Sequence, residues 1–124
     1  MFVEYNPNPQ GKRVGDCVIR AICALTGESW ETVYAGVVAV GFAMKDMPSS
    51  NAVWGKYLEQ LGYKRRTLPD TCPDCYKVKD FCVDFPRGVY LLATGSHVVA
   101  VIDGAYWDAW DSGDEVPIYY WQKG

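Results

Sequence analysis

Apolar residues recur at helical spacing through the first part of the chain. In the first predicted helix, Val18, Ile22 and Leu25 fall on one face. Asp16 stands where a side-chain oxygen can cap this helix, and Gly27 stands where a glycine ends it. Three more helices are predicted in the same way, from Ser29 to about Val40, from Ser49 or Ser50 to Gly62, and from about Pro73 to Val83 with Thr71 near its N-cap.

The pattern changes at Pro86-Arg87-Gly88, after which short apolar runs are separated by turn residues. Asp103-Gly104 is a strong signal for a two-residue hairpin turn. Helices followed by an antiparallel sheet indicate an α+β fold, and we expect residues 1–124 to form a single domain. The predicted strands are Val89–Ala93, His97–Asp103, Tyr106–Trp110 and Val116–Trp121.

Charge and composition narrow the classes of partner. The net charge is −3, and the one basic cluster, Lys64-Arg65-Arg66, is short enough to be a solvated helix end or loop. Nucleic acid is therefore not an expected partner, because phosphate binding requires clustered Lys and Arg. Residues 1–14 are expected to be extended and lack the layout of a signal peptide. No apolar run is long enough for a membrane span, so we expect a cytoplasmic protein with no membrane partner.

Cys17 and His97 occupy the local settings that thiol catalysis requires. Cys17 begins the first predicted helix, where first-turn amides stabilise a thiolate. Asp16 opposes this by its charge, unless its carboxylate is turned toward the helix amides. His97, the only histidine, begins a predicted strand just after Thr94-Gly95-Ser96. Both could instead be ordinary core residues, but the Gly15-Asp16-Cys17 context favours a nucleophile and its base.

A third residue is needed to orient the imidazole of His97, and the return strand offers Asp108 and Asp111. If Asp103-Gly104 forms a two-residue turn, Asp108 lies on the same face as His97, one diagonal step away. A three-residue turn would instead place Asp111 directly opposite His97. The strength of the Asp-Gly signal favours Asp108.

An oxyanion formed at Cys17 would need hydrogen-bond donors. The backbone N–H of Cys17 is the first candidate. A side-chain amide from the preceding segment could be the second, and Gln10 is the best placed, with Asn8 and Asn6 behind it. The alternative is that these amides only form turns in a Pro-rich stretch.

The order of a cysteine helix, a histidine strand and an acid strand resembles the papain-like cysteine peptidase superfamily. The likeness is strongest to small bacterial and phage members and to bacteriocin-processing peptidase domains. Gly15-Asp16-Cys17 resembles the nucleophile motif of those processing domains, and His97-Val98-Val99-Ala100-Val101 resembles the histidine strand of papain-like enzymes.

Two further segments extend this resemblance. Asp108-Ala109-Trp110 is similar to the Asn-Ser-Trp segment that carries the orienting amide in papain, with Asp in place of Asn. Gln10 is similar to the glutamine that serves the oxyanion upstream of the nucleophile. The resemblance implies a papain-like arrangement, in which an N-terminal helical lobe carries the nucleophile helix and a cleft separates it from a C-terminal antiparallel sheet.

Cys72-Pro73-Asp74-Cys75 is a CxxC motif that could form a redox pair or half of a zinc site, with Cys82 as a third ligand. The chain has no second CxxC, and its one histidine is assigned to the thiol site. We therefore expect no metal and no cofactor. The five cysteines are expected to be free thiols, with Cys75 and Cys82 facing the core from the fourth helix.

The expected activity is that of a cysteine peptidase-like hydrolase, which cleaves an amide bond of a peptide or protein substrate through a thioester. Cys17 attacks, His97 moves the proton, Asp108 orients His97, and the Cys17 N–H with Gln10 holds the oxyanion. The same thiol chemistry could instead serve acyl or amide transfer. A different class of function is also open, a non-catalytic binding module on this fold.

Overall fold

The computed structural model describes residues 1–69, 71 and 74–124. In these residues the chain forms helices on both sides of one sheet. The helices are α1 (Cys17–Thr26), α2 (Trp30–Met44), α3 (Asn51–Gln60) and α4 (Val78–Asp84). The strands are β1 (Phe2–Glu4), β2 (Tyr63–Thr67), β3 (Val89–Ala93), β4 (Val98–Ile102), β5 (Ala105–Asp108) and β6 (Tyr119–Lys123).

The sheet confirms the α+β class and corrects the predicted pairing. Its strand order is β1-β5-β4-β3-β6-β2. All neighbours are antiparallel except β1, which runs parallel to β5, so the sheet is mixed and not purely antiparallel. Two of its strands were not predicted. β1 lies in the segment expected only to be extended, and β2 contains Lys64-Arg65-Arg66, which was expected to be a helix end or loop.

The predicted end of the first helix and the predicted start of the second are confirmed, but the second helix continues to Met44 and does not end near Val40. Gly27 ends α1 with φ of 74°, a left-handed conformation that glycine adopts without strain. Ser29 caps α2, because its side chain accepts a hydrogen bond from the Thr32 N–H. Asp16 does occupy the N-cap position of α1, but its side chain makes no capping hydrogen bond. The prediction that it caps α1 is therefore wrong, and its carboxylate is engaged elsewhere.

The predicted start of the fourth helix is also wrong. α4 begins at Val78, where the Lys77 N–H donates to Asp80 Oδ2 at 2.9 Å and so defines the first turn. Thr71 bonds to the Asp74 carbonyl in a separate turn. The expected starting residue, Pro73, lies outside the described residues.

The core occupies both faces of the sheet because successive residues of β3 and β4 point to opposite sides. Leu91 and Ala100 face α1, α2 and α3, whereas Leu92 and Val99 face α4. All four side chains are buried. Burial of each of the three larger ones, Leu91, Leu92 and Val99, stabilises the fold by about 2 kcal/mol. The central strands are therefore fixed from both sides. None of the helices in the described residues is both long and apolar enough to cross a membrane.

Two tight turns set the positions of the chemistry-bearing side chains. At one end of β4, the Thr94 N–H bonds to the His97 carbonyl at 2.8 Å, and the Thr94 hydroxyl accepts from the His97 N–H at 3.0 Å. His97 thus lies in the turn immediately before β4 and not within the strand. At the other end, Asp103 and Gly104 have φ of 48° and 78°, as a two-residue type I′ turn requires. The predicted hairpin register is confirmed, with Ile102 paired to Ala105.

Candidate active site

Cys17 and His97 meet where the N-terminus of α1 faces the start of β4. Cys17 is half-buried as the first residue of α1. Its sulfur lies near the His97 side chain and the Val98 N–H, and both groups act to lower the pKa of the thiol. The thiol therefore has three sources of stabilisation for its anion: the imidazole, a strand amide and the helix N-terminus.

Asp108 is the hydrogen-bond partner of His97. Its side chain is fully buried, and Oδ2 lies 2.6 Å from His97 Nε2. Because Nε2 is held by Asp108, the other ring nitrogen, Nδ1, is the one left for Cys17. The structure thus brings together Cys17, His97 and Asp108 in the order that the sequence predicted.

Asp111, the alternative third residue, does not join this group. Its Oδ1 accepts hydrogen bonds from the Tyr106 hydroxyl and from the Gly113 N–H, which fixes the turn after β5. The two-residue turn at Asp103-Gly104 puts Asp108, and not Asp111, on the face of His97.

The electrostatics favour a charged pair. Burial raises the pKa of the Cys17 thiol, but the hydrogen bonds from His97 and Val98 outweigh it, so that the net pKa lies below its ordinary value. Burial lowers the pKa of His97, but hydrogen bonds with Asp108 and Cys17 raise it to about 9. Both shifts favour the thiolate–imidazolium form of the pair over the neutral form. Burial opposes ionisation of Asp108 as well, yet the bonds from His97 and Ser112 hold its pKa below the ordinary value.

Donors other than the His97 imidazole also hold Asp108. Oδ2 also accepts from the Ser112 hydroxyl at 2.6 Å, and Oδ1 accepts from the Ala109 N–H at 2.8 Å. The Arg20 guanidinium approaches Oδ1 at 3.0 Å through one terminal nitrogen and at 3.2 Å through Nε. Such a fully bonded carboxylate cannot rotate without breaking several bonds, so it presents one oxygen to His97 in a fixed direction.

Trp110 covers His97 on the solvent side. The two ring centroids are 4.9 Å apart and the planes are inclined by 39°. Only 10% of the His97 side chain remains exposed. This partial exclusion of water strengthens the interactions of His97 with its charged neighbours.

Two cavities open on either side of the Cys17–His97 pair. The larger, of about 540 Å³, extends between α2 and α3. Its walls are mainly apolar side chains, including Trp30, Tyr34, Val38, Trp54, Val98 and Tyr119. The smaller, of about 470 Å³, is more polar and is lined in part by Asn6, Arg13, Arg20, Ala109 and Trp110. A bound chain could therefore pass across the thiol with an apolar part on one side and a polar part on the other.

Gln10 is not placed at this site. Among the described residues that line the two cavities, Gln10 is absent. The reason is local, because Asn8 Oδ1 accepts from the Gln10 N–H and the Lys12 N–H and so turns the segment outward. Asn6, named as a more distant candidate, does line the polar cavity. One of its two amide hydrogens is used on the Lys12 carbonyl.

The remaining cysteines give no second site among the described residues. Cys75 is exposed and precedes α4, so the prediction that it faces the core is wrong, whereas Cys82 is buried on α4 as predicted. Cys72 lies outside the described residues, and the predicted pairing of the CxxC motif therefore involves a residue that the structure does not describe. Within the part of the chain that the structure describes, no group of three or more His, Cys, Asp or Glu side chains could hold a metal ion.

Sequence reasoning missed three contributors to the site: Arg20, Ser112 and the Val98 N–H. Arg20 could have been found, because it is a lone charge in the otherwise apolar run Val18-Ile19-Arg20-Ala21-Ile22. Ser112 and the Val98 N–H carry no local signal, since both depend on how distant segments pack. Comparison with protein-family models, curated proteins and solved structures found no match to this chain.

Proposed function

We propose that this protein is a thiol-dependent hydrolase that cleaves amide bonds in peptide or protein substrates through a thioester on Cys17. The observation that carries the proposal is that Cys17 and His97 line both cavities together, with His97 bonded at 2.6 Å to the fully buried Asp108. A cysteine that was only a small core residue would need neither an imidazole nor a cavity.

The first half of the reaction forms the thioester. The Cys17 thiolate attacks the carbonyl carbon, and the electron pair of the C=O bond moves to oxygen. The Cys17 N–H, one of the amides that a helix leaves without an intrahelical partner, and the Asn6 side-chain amide stabilise this oxyanion. As the oxyanion collapses, the C–N bond breaks and the imidazolium of His97 gives its proton to the leaving amine.

The second half releases the acid. His97, now neutral, takes a proton from a water molecule, whose oxygen attacks the thioester carbonyl. The C–S bond breaks, the carboxylic acid leaves, and the thiolate and imidazolium are restored. Asp108 keeps Nε2 of His97 engaged throughout, so that Nδ1 remains directed at the sulfur.

The papain-like relationship is part of the same proposal. It is supported by the order of a nucleophile helix, a histidine at a strand start and an acid on the return strand. The packing of Trp110 over His97 gives a physical role to the Asp108-Ala109-Trp110 segment on which the resemblance partly rests. The apolar cavity is the proposed location of a bulky apolar side chain on the acyl side of the cleaved bond.

Selective alkylation tests the nucleophile. Iodoacetamide at pH 6 to 7 should label Cys17 faster than any other cysteine, as peptide mapping by mass spectrometry would show. His97→Ala should remove this advantage, whereas Cys75→Ser, a matched change at an exposed thiol outside the cavities, should not. Equal labelling of all cysteines, or faster labelling of Cys75, would contradict the proposal and favour a non-catalytic binding module.

Substrate turnover tests the reaction. Peptides with a bulky apolar residue before the cleaved bond should give a new carboxylic acid, and mass spectrometry should detect an acyl group on Cys17. Cys17→Ala should abolish both. An added primary amine distinguishes the alternatives, because a product that contains the amine in place of water would indicate acyl transfer in place of hydrolysis.

A further inference from the structure

Arg20 is buried between two carboxylates on opposite sides of its guanidinium. One terminal nitrogen contacts Asp16 Oδ1 at 2.8 Å, and the other contacts Asp108 Oδ1 at 3.0 Å. The exposed fraction is 7% for Asp16, 6% for Arg20 and zero for Asp108. Three ionised groups are thus removed from water together, an arrangement that apolar residues of the same volume would replace at little or no cost in stability.

The position of Arg20 in the sequence connects this cluster to the thiol. Arg20 lies one helical turn after Cys17 on α1, and Asp16 directly precedes Cys17. The remaining oxygen of Asp16, Oδ2, accepts from the Trp30 indole N–H at 2.9 Å. This explains why Asp16 does not cap the helix. Its negative charge, which would oppose a thiolate on the next residue, is taken up by Arg20 and Trp30.

The contacts at Asp108 divide between its two oxygens. Oδ1 receives Arg20 and the Ala109 N–H, whereas Oδ2 receives His97 and Ser112. The planar guanidinium reaches Oδ1 through two nitrogens and so fixes the position of this oxygen, while His97 and Ser112 hold Oδ2. A single point charge would attract Asp108 but would not fix its direction.

We propose that Arg20 is a positioning residue for the thiol site, which orients Asp108 toward His97 and cancels the charge of Asp16 beside the Cys17 sulfur. This inference rests on the proposed function. Signs alternate along the whole series, from Asp16 through Arg20, Asp108 and His97 to Cys17. The helix that carries the nucleophile thereby also holds the carboxylate that directs its base.

Among the described residues, the side chains that bond to Asp108 come from three elements. Arg20 approaches from α1, His97 from the start of β4, and Ser112 from the segment after β5. β1 contributes Glu4, paired in register with Asp108, but its carboxylate is exposed and is bound by Arg13 at 3.4 Å. An exposed ion pair of this kind has little effect on the pKa of a buried group.

The pKa of His97 separates positioning from a simple charge effect. Because the chain has one histidine, its ring-proton NMR signal is unambiguous. If Arg20 acted only through its charge, Arg20→Gln would remove a repulsion from the imidazolium and raise the pKa of His97. If Arg20 orients Asp108, the same variant weakens the bond that holds the imidazolium, and the pKa falls by about 0.5 to 1.

Three further variants make the test decisive. The double variant Asp16→Asn/Arg20→Gln removes the Asp16 charge together with its partner, so it does not leave both carboxylates buried without Arg20. It should retain the fold, which thermal unfolding would check. It should also lower the pKa of His97. Arg20→Lys keeps the charge without the fork and should give an intermediate value. Arg66→Gln, a matched change on the exposed strand β2, should have no effect. A raised or unchanged pKa in the folded double variant, or a value for Arg20→Lys equal to wild type, would overturn the proposal.

The thiol gives a second readout of the same proposal. In Arg20→Gln the charge of Asp16 is no longer cancelled, so the pH midpoint of Cys17 alkylation should rise, and the added Asp16→Asn change should lower it again. No restoration in the double variant would contradict this part. The NMR titration needs no substrate, so its failure would remove the role of Arg20 while leaving the proposed hydrolase unaffected. If peptide turnover failed while the pKa of His97 changed in the variants as expected, the role of Arg20 would stand and the proposed hydrolase would be contradicted.

Discussion

Removing the charge of Asp108 while keeping its shape should change the titration of His97 more than any other single change outside the Cys17–His97 pair. The pKa of His97 is about 9, against an ordinary value of 6.5, and this difference corresponds to about 3 kcal/mol in favour of the imidazolium. Burial opposes that preference, and the hydrogen bond to Asp108 is the largest contribution that supports it. In Asp108→Asn the 2.6 Å contact remains sterically possible, but the carboxylate charge is gone. We expect the pKa of His97 to fall by at least one, to about 8 or below, at a cost of about 1.4 kcal/mol or more.

The assay follows the ring-proton NMR signal of the single histidine from pH 5 to 11. Turnover gives an independent measure, because His97 must be protonated to supply the leaving amine, so the alkaline limb of kcat/KM should move down with the pKa. Asp111→Asn is the matched control, since Asp111 bonds to Tyr106 and Gly113 and should leave the midpoint of His97 unchanged. If His97 in Asp108→Asn titrated at the wild-type pH, the inference that Asp108 holds the imidazolium would be refuted.

Three other predictions follow from the site. Asn6→Ala should lower hydrolysis by about 100-fold without slowing alkylation, which forms no oxyanion, and Gln10→Ala should change neither rate. Val38→Asp should raise KM for substrates with a bulky apolar residue, because Val38 lines the apolar cavity, whereas Phe42→Asp, an exposed site one turn further along α2, should not. In urea titrations the unfolding free energy of wild type should fall less between pH 6.5 and 9 than that of Cys17→Ser. The raised imidazole pKa gives stability that is lost as pH rises toward about 9, whereas the lowered thiol pKa gives stability that is gained as pH rises and so offsets part of this loss, and Cys17→Ser should leave only the loss.

The parts of the site that could be predicted from the sequence are those fixed by short-range geometry. Asp103-Gly104 specifies a two-residue turn, and that turn alone sets which residues of β5 share a face with His97. The end of α1 at Gly27 follows from a left-handed glycine. In each case the physical cause lies within a few residues of its effect.

The parts that could not be predicted depend on distant contacts or on competing local bonds. β1 has only three residues, and its parallel pairing with β5 spans nearly the whole chain, so its short pattern carried no signal. Gln10 was assigned to the oxyanion by its place along the chain. Two Asn8 side-chain bonds instead turn that segment and leave Gln10 exposed. Asp16 was assigned a cap, but a buried guanidinium one turn later offered its carboxylate a stronger, charged partner.

The site as a whole depends on two short segments whose geometry is fixed independently. α1 supplies Cys17 and Arg20 at a spacing that one helical turn imposes, and the β4–β5 hairpin brings His97 and Asp108 to one face through its turn. Arg20 is one of the α1 side chains that join the two segments, because it binds Asp108. A slip of one residue in the hairpin would turn Asp108 to the opposite face and leave Arg20 buried without its partner. If Arg20 aligns the proposed base, the same contact also penalises the wrong register, and the geometry of the proposed site is coupled to folding specificity through one buried ion pair.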